Sequence, residues 1–155
     1  MSELRIALLL ADPARAEDAR AIRDALARVA PYCGVQTHAF DSAHQLNEES
    51  PRFARSVAAA LWSDVVLFFA PQRDARTNAA LIALRERSGF TERFHEPEFA
   101  RAWFTANGRR SLYVLGSLPG AFGALALALE YGCADPDGAQ RLRDLPHGTS
   151  KLAFA

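Results

Sequence analysis

The chain has 155 residues, and its composition limits the kind of protein it can be. Its 18 basic and 18 acidic side chains give a net charge of zero, so no overall field attracts nucleic acid or an anionic membrane surface. The length suits one domain with a full hydrophobic core. We therefore predict a single domain over residues 1–155, with no nucleic-acid partner and no membrane partner.

The cysteines and the apolar runs bear on where the protein resides. Cys33 and Cys133 have no C-x-x-C spacing, and cysteines of this kind are most often small buried side chains, reactive only beside a positive charge. The chain begins without a basic and then apolar signal segment. Its longest apolar run, Ala121 to Leu129, is far shorter than the ~20 residues of a membrane span. These features predict a cytoplasmic protein.

The first half of the chain alternates between apolar runs and helical periodicity. Leu4 to Leu10 is a nearly unbroken aliphatic run, typical of a strand that is covered on both faces. From Ala14 to Ala30 apolar residues recur at steps of three and four, which predicts a helix, and Val35 to Phe40 predicts a second strand. Ser50 before Pro51 predicts the start of a second helix. Its inner face is predicted to carry Phe53, Val57 and Leu61.

The same alternation continues through the middle of the chain. Val65 to Phe69 predicts a buried strand, and Ala75 to Ser88 predicts a helix that ends at Gly89 in the left-handed conformation. An extra short helix is predicted between Phe90 and Gly108. The inner stripe of the Ala75–Ser88 helix is predicted to be Thr77, Ala80, Leu81 and Leu84.

A glycine-rich segment follows the fourth predicted strand. This strand runs from Ser111 to Leu115, the loop from Gly116 to Gly123, and an apolar helix from Ala124 to Tyr131. Asp135 to Gly148 is predicted to be a polar turn region, and Lys151 to Phe154 a last strand. The order of these elements predicts a three-layer, doubly wound parallel sheet of five strands, because right-handed crossovers place helices on both faces.

Ligands of open parallel sheets bind outside the carboxyl ends of the strands, where the strand order reverses. After strand four, Gly116, Ser117 and Gly120 combine close backbone approach, a hydroxyl and a helix N-terminus, which predicts an anion site. The alternative is a tight turn whose glycines serve packing alone. The loop after strand one is a poor anion site because its carboxylates repel a phosphate.

Polar donors follow strand three, directly after Pro71. They suit an anion or a carbonyl-rich ring, and the alternative is an ordinary loop with solvated arginines. The donors are Gln72, Arg73, Arg76 and Asn78.

Three segments resemble the flavodoxin-like NAD(P)H-dependent FMN and quinone reductases. They are the run Ser63 to Pro71, the helical stretch Ala80 to Phe90, and the glycine-rich loop after strand four. The resemblance covers nearly the whole chain and implies a flavodoxin-like fold with strand order 2-1-3-4-5. It also implies FMN as the cofactor and an oxidoreductase whose redox chemistry the flavin carries. The residues that match the family's binding loops are Pro71, Gly116, Ser117 and Gly120.

Two features differ from that family and support a non-catalytic alternative. The loop from Asp12 to Glu17 has no hydroxyls for a flavin phosphate, and Gln72 and Arg73 stand where the family tends to have an aromatic residue. A dimeric interaction module that has lost its cofactor would show the same pattern.

A second enzyme class is indicated by Ala128 to Ala134. This segment resembles the E-x-G-x-A segment of nucleoside deoxyribosyltransferase-like N-glycosidases, and the resemblance implies Glu130 as a nucleophile that attacks the sugar carbon. In that family the glutamate follows strand three, whereas Glu130 follows strand four near a helix end. That position favours a polar residue on an apolar helix.

The remaining patterns concern metals and partners. The four histidines show no ligand spacing, so no metal site is predicted. The helix from Ala121 to Tyr131 is apolar on almost every side, so packing on the sheet leaves a face that something else must cover. The segment after Asp135 or a second copy of the chain would cover it, and we predict a homodimer through this helix.

Overall fold

The fold is that of a computed structural model that describes residues 3–11, 15–40, 51–70, 74–90 and 100–145. Strands and helices alternate along this part of the chain. The strands are β1 (Leu4–Leu10), β2 (Cys33–Ala39), β3 (Val65–Phe69) and β4 (Ser111–Leu115). The helices are α1 (Ala16–Val29), α2 (Pro51–Trp62), α3 (Ala75–Ser88), α4 (Ala100–Asn107), α5 (Leu118–Leu127) and α6 (Pro136–Asp144), and a π-helical turn (Ala128–Gly132) follows α5.

The four strands form one parallel sheet in the order β2-β1-β3-β4. Leu4 lies opposite Cys33 in the pairing of β1 with β2, and Val65 lies opposite Ser111 in the pairing of β3 with β4. This arrangement confirms the prediction of an α/β protein with a parallel sheet. The order of the four described strands is that of the first four strands in the predicted order 2-1-3-4-5. The predicted fifth strand, Lys151 to Phe154, lies outside the described residues.

Helices cover both faces of the sheet. Successive residues of a strand point to opposite faces, so neighbouring residues of β1 belong to different core clusters. On one face Leu8 belongs to a core cluster that includes residues of α1, α5 and α6. On the other face Leu9 belongs to a cluster that includes residues of α2 and α3. Both leucines are fully buried, as expected for a central strand without polar alternation.

The predictions for α2 and α3 are confirmed except at one residue. Helix α3 has the predicted bounds, its predicted inner stripe is buried, and Gly89 adopts the left-handed conformation at φ 78°. Phe53 and Val57 of α2 are buried, but Leu61 is 57 % exposed, so the prediction for Leu61 is wrong. A helix has 3.6 residues per turn, so residues spaced four apart rotate progressively around its axis. The third residue of such a series, here Leu61, therefore leaves the buried face.

The glycine-rich segment after β4 is helix rather than loop. Helix α5 begins at Leu118, so the prediction of a loop that reaches Gly123 is wrong. Ser117 caps the helix, since its hydroxyl accepts the N–H of Gly120 at 3.2 Å, and Pro119 occupies the first turn. Cap and proline together outweigh the low helix propensity of the glycines, which costs about 1 kcal/mol per residue.

The polar segment after Asp135 also contains a helix. The prediction of a turn region is wrong there, because α6 spans Pro136–Asp144. The side chain of Asp135 accepts the N–H of Gly138 at 2.9 Å, and Pro136 follows the cap. The buried residues Ala139 and Leu142 lie three apart on one face of this short helix.

The apolar helix is covered within a single chain. Every residue from Ala124 to Leu129 is buried, and the cluster around them includes Ala139 and Leu142 of α6. The segment after Asp135, one of the two predicted covers, is therefore the one observed. The homodimer itself stays a prediction, but an exposed face on α5 no longer supports it.

Candidate functional site

The ends of three strands lie side by side at the carboxyl edge of the sheet. The backbone N–H of Ala11 donates to the carbonyl of Phe69 at 3.0 Å, and that of Ala70 donates to the carbonyl of Leu115 at 3.0 Å. In the sheet, β2 lies beside β1 at one end, and β4 lies beside β3 at the opposite end. The order therefore reverses between β1 and β3, the place where open parallel sheets bind ligands.

Three of the predicted site residues lie together at the β4 end of this edge. Gly116 and Ser117 precede α5, and Gly120 lies in its first turn. The Ser117 hydroxyl is engaged as the helix cap, and a Cβ on Gly120 would lie 3.3 Å from that hydroxyl oxygen. These contacts support the alternative in which the glycine serves close packing of the turn.

The predicted residues after β3 are only partly described. Pro71, Gln72 and Arg73 lie outside the described residues. Asn78 is half-buried in α3, where its backbone N–H donates to the carbonyl of Asp74 at 2.9 Å. The carboxylate of Asp74 caps α3 by accepting the N–H of Thr77 at 2.8 Å. The described part of this loop thus places the Asp74 carboxylate at the α3 N-terminus, where Arg76 is the second residue of the helix.

Arg15 is a basic residue of this edge that the sequence analysis did not single out. Its guanidinium donates to the carbonyl oxygen of Gly116, which joins the segment after β1 to the segment after β4. A second nitrogen of the same guanidinium lies 2.8 Å from the carboxylate of Asp18, and 25 % of the Arg15 side chain is exposed. A single arginine in an acidic segment gave no sequence signal, because its contact partner lies 101 residues away.

A cavity of about 450 Å³ lies near the opposite, amino edge of the sheet. It is lined by Phe104, Thr105, Glu130, Tyr131, Ala134 and Pro136. The Phe104 and Tyr131 rings are nearly parallel, with centroids 6.5 Å apart. Arg143 donates to the Glu130 carboxylate at 2.8 Å, which orients that carboxylate. Glu130 therefore lies far from the strand ends where the predicted anion site is placed, as its position near a helix end indicated.

The backbone beside this cavity is irregular. The π-helical turn carries Glu130 and Tyr131, and Ala134 adopts φ 52°, a left-handed conformation that residues with a Cβ rarely adopt. Single π-helical turns and strained non-glycine residues are enriched at functional sites. The sequence analysis predicted a plain α-helix here, since neither feature has a composition signal.

A polar cluster behind the cavity joins three distant segments of the chain. The hydroxyl of Tyr32 donates to the Asp135 carboxylate at 2.6 Å, and Arg109 donates to the Cys133 sulfur at 3.2 Å. Burial and the charge of Cys133 raise the pKa of Cys33 to about 12. Burial and the hydrogen bond to Asp135 raise the pKa of Tyr32 above its usual range. Both groups are therefore neutral at physiological pH.

The guanidinium of Arg109 is the positive charge of this cluster. Burial by itself would lower the pKa of Arg109, but the contact with Cys133 and the charges of Cys133, Asp64 and Tyr32 together outweigh it, and the pKa is raised. Arg109 therefore stays positively charged beside the Cys133 sulfur.

Two further features are absent from the described residues. No group of three or more His, Cys, Asp or Glu side chains is arranged to hold a metal ion in that part of the chain. Within the same residues, no helix combines the length and apolar character needed to span a membrane.

Comparisons with known proteins add no assignment. The chain matches no protein-family model, and neither a curated protein nor a solved structure matches it.

Proposed function

We propose that this chain binds a small phosphorylated molecule, with FMN as the first candidate, at the carboxyl edge between β1 and β3. The observation that supports this most directly is the parallel order β2-β1-β3-β4, which reverses at that gap. The proposal includes a flavodoxin-like fold in which Lys151 to Phe154 adds a fifth strand beside β4.

Arg15 is the group we assign to the ligand's negative charge. Its guanidinium already spans from Asp18 to the Gly116 carbonyl, so the side chain is held at the edge before any ligand arrives. Guanidinium groups bind phosphate through charge-assisted, often paired hydrogen bonds. Ser117 accepts a backbone N–H as the cap of α5, and its O–H can donate to the same phosphate. When bound, FMN would supply the redox chemistry of an NAD(P)H-dependent reductase.

Titration of the purified protein with FMN and with riboflavin, followed by flavin fluorescence, tests this proposal. The two flavins differ only in the phosphate, so we expect FMN to bind more tightly. Arg15→Gln is expected to weaken FMN binding by about 10- to 100-fold, the equivalent of one hydrogen bond to a charged group. Riboflavin binding is expected to be unchanged in the same variant.

Arg28→Gln is the matched control, because Arg28 is exposed at the far end of α1. It should leave both affinities unchanged. Absence of any fluorescence change with FMN would rule out the flavin and favour the non-catalytic module. Equal binding of FMN and riboflavin would show that no phosphate is recognised at this edge.

The cavity at the amino edge supports a second candidate, an N-glycosidase with Glu130 as nucleophile. Glu130 lines that cavity beside two aromatic rings, which are suited to stacking on a nucleobase. A carboxylate that attacks the sugar carbon forms a glycosyl-enzyme intermediate and releases the base.

Release of free base from nucleosides and nucleotides, measured by chromatography, tests the second candidate. Glu130→Gln should abolish release, and Asp137→Asn, which alters an exposed carboxylate on α6, should not. Equal release by the wild type and Glu130→Gln would exclude this role for Glu130.

A further inference from the structure

We propose that the lateral edge of β2, the long side of this strand that does not face β1, pairs in antiparallel fashion with the same edge of a second copy of the chain. The sheets of the two copies would then form one continuous sheet. β2 is the terminal strand of the sheet, and none of the described strands pairs with its lateral edge. The proposal does not depend on ligand binding at either of the sites described above.

The lateral edge of β2 lacks the features that keep exposed strands from pairing. Every residue from Cys33 to Ala39 has a partner in β1, so the strand is continuous and has no bulge. Its sequence contains no proline and no lysine, arginine, aspartate or glutamate, and at seven residues it is not a shortened strand. Bulges, prolines, charges and short length are the usual means of blocking a strand edge. β2 is therefore suited to bind another strand.

The backbone of β2 defines a symmetric register for this pairing. The N–H of Phe40 donates to the carbonyl of Leu10 in β1 at 2.7 Å. Backbone groups alternate in direction along a strand, so Gln36 also faces β1, whereas Val35 and Thr37 direct their N–H and C=O groups outward. Directly opposed residues of antiparallel strands can exchange two hydrogen bonds. A two-fold axis at Gln36 places Val35 opposite the partner's Thr37 and Thr37 opposite the partner's Val35, which satisfies all of these outward groups.

A cavity of about 390 Å³ between α1 and β2 opens beside this edge. It is lined by Ala16, Ala19, Arg20, Arg23, Asp24 and Thr37. The hydroxyl oxygen of Thr37 is buried and has no hydrogen-bond partner in the described part of the chain. A buried polar group without a partner costs free energy, so this hydroxyl favours a second surface that brings polar groups to the same place.

The cavity also shows which part of α1 lies beside the proposed axis. Thr37 lies beside the stretch 16–24 of α1, whose middle is residue 20. The crossover from β1 to β2 makes α1 run opposite to β2. One residue of a strand advances about 3.3 Å and one residue of a helix about 1.5 Å. Gln36, one residue before Thr37, is therefore level with about Ile22 of α1.

The exposed charges of α1 are self-complementary about that point. Arg20 and Asp24 are exposed and lie two residues before and two residues after Ile22. Neither side chain forms an ion pair within the residues that the structure describes. A two-fold axis level with Ile22 places Arg20 opposite the partner's Asp24 and Asp24 opposite the partner's Arg20. Backbone register and charge pattern thus agree on one axis, which favours a second copy over a strand of another protein.

Exchange of the charges tests the proposed register. Arg20→Asp puts two carboxylates opposite each other at each site, and Asp24→Arg puts two guanidinium groups there. Each variant is expected to raise the dissociation constant of the dimer by about tenfold or more. The double variant Arg20→Asp/Asp24→Arg restores opposite charges and should return the constant to about the wild-type value. A double variant as weak as the single ones would overturn the antiparallel register.

The dissociation constants are measured by light scattering of the full chain over a dilution series. The wild type should have the mass of two chains at tens of micromolar, and the mass of one chain at that concentration would overturn the proposal. Glu86→Arg is the matched control, because it reverses an exposed charge on α3, on the opposite face of the sheet. It should leave the dissociation constant unchanged.

A proline at the lateral edge tests the strand pairing itself. Thr37→Pro removes an outward N–H and no hydrogen bond to β1, so the variant should fold and be monomeric, with folding checked by circular dichroism. Thr37→Val keeps the N–H and should remain a dimer. A folded Thr37→Pro variant that is still a dimer would overturn the proposal, and if the variant does not fold, the charge exchange decides.

Discussion

The hydroxyl of Ser117 has a structural role, as a helix cap, that the sequence pattern did not indicate. The sequence pattern predicts that its hydroxyl holds an anion, yet in the structure the hydroxyl accepts the N–H of Gly120. Loss of such a cap costs about 1 kcal/mol. This bond uses an acceptor lone pair of the oxygen, so the O–H of Ser117 can still donate to an anion while the hydroxyl caps the helix.

Ser117→Ala should lower the free energy of unfolding by about 1 kcal/mol, measured by urea denaturation. Ser117→Asp retains a capping oxygen and should keep the wild-type stability. If Ser117→Ala keeps full stability but weakens FMN binding, the hydroxyl acts on the ligand and the cap assignment is wrong.

The cluster around Cys33 makes stability sensitive to alkaline pH. The pKa of Cys33 is raised from its ordinary value of 9.0 to about 12, because burial and the charge of Cys133 disfavour its thiolate. A raised folded-state pKa contributes stability that is complete below the unfolded pKa and is lost as the pH rises through the folded one. Tyr32, whose pKa is also raised, acts in the same direction.

The free energy of unfolding should therefore fall as the pH rises from 9 towards 12. One thiol contributes a slope of at most about 1.4 kcal/mol per pH unit, less because partial exposure screens it. Cys33→Ala should make this slope shallower while leaving the profile between about pH 6 and 8 parallel to that of the wild type. Identical alkaline slopes for the two proteins would argue against a raised pKa in the folded state.

At the scale of elements, α6 is the helix that allows α5 to be apolar on every side. Leu142 of α6 is fully buried in the cluster that also contains Leu125 and Leu129. An all-round apolar helix needs cover on each face, and the sheet supplies only one. The remaining cover comes from a helix in a segment whose composition predicts a turn.

Leu142→Ala should lower the free energy of unfolding by about 2–5 kcal/mol, because a buried leucine leaves both lost transfer energy and a cavity. Gln140→Ala, on the exposed side of the same helix, should change it by less than about 0.5 kcal/mol. Both are measured by urea denaturation. A small effect of Leu142→Ala would mean that α6 is not the cover that α5 requires.

At the scale of the whole molecule, the two edges of the sheet carry different candidate chemistry. The carboxyl edge holds Arg15 beside the point where strand order reverses, and the amino edge holds the contact of Arg109 with Cys133 and the cavity. A parallel sheet separates these edges by the length of its strands, so a variant at one edge leaves the other intact. The proposed tests can therefore fail independently.

The burial of α5 within one chain also affects how the predicted homodimer could form. Because α6 and α5 bury one another within the chain, the predicted homodimer must use another surface, and light scattering at tens of micromolar tests it against the mass of one chain, 16.9 kDa. Twice that mass would support the homodimer and place its interface away from α5. Substitution of the exposed apolar side chains Leu61 and Ile82 would then distinguish an interface on α2 and α3 from one at the lateral edge of β2.

The strands and their parallel arrangement follow from information that lies close together in the sequence. Leu4–Leu10 and Val65–Phe69 are predicted to the residue, because a strand buried on both faces has no polar alternation to obscure its ends. The helix that ends at Gly89 is equally clear, since the cap and periodicity agree. Alternation of these elements then restricts the topology to a parallel sheet.

Tertiary structure alone decided which groups meet. Arg15 and Gly116, Tyr32 and Asp135, and Arg109 and Glu3 are each about 100 residues apart, and local periodicity carries no information at that range. Local signals also leave helix and loop close in free energy around Ser117, where glycines oppose a cap and a proline in the first turn, and burial of the apolar helix adds to the cap and the proline. The amino acid sequence by itself thus determined the sheet and its layers, whereas the folded chain determined the contents of both edges.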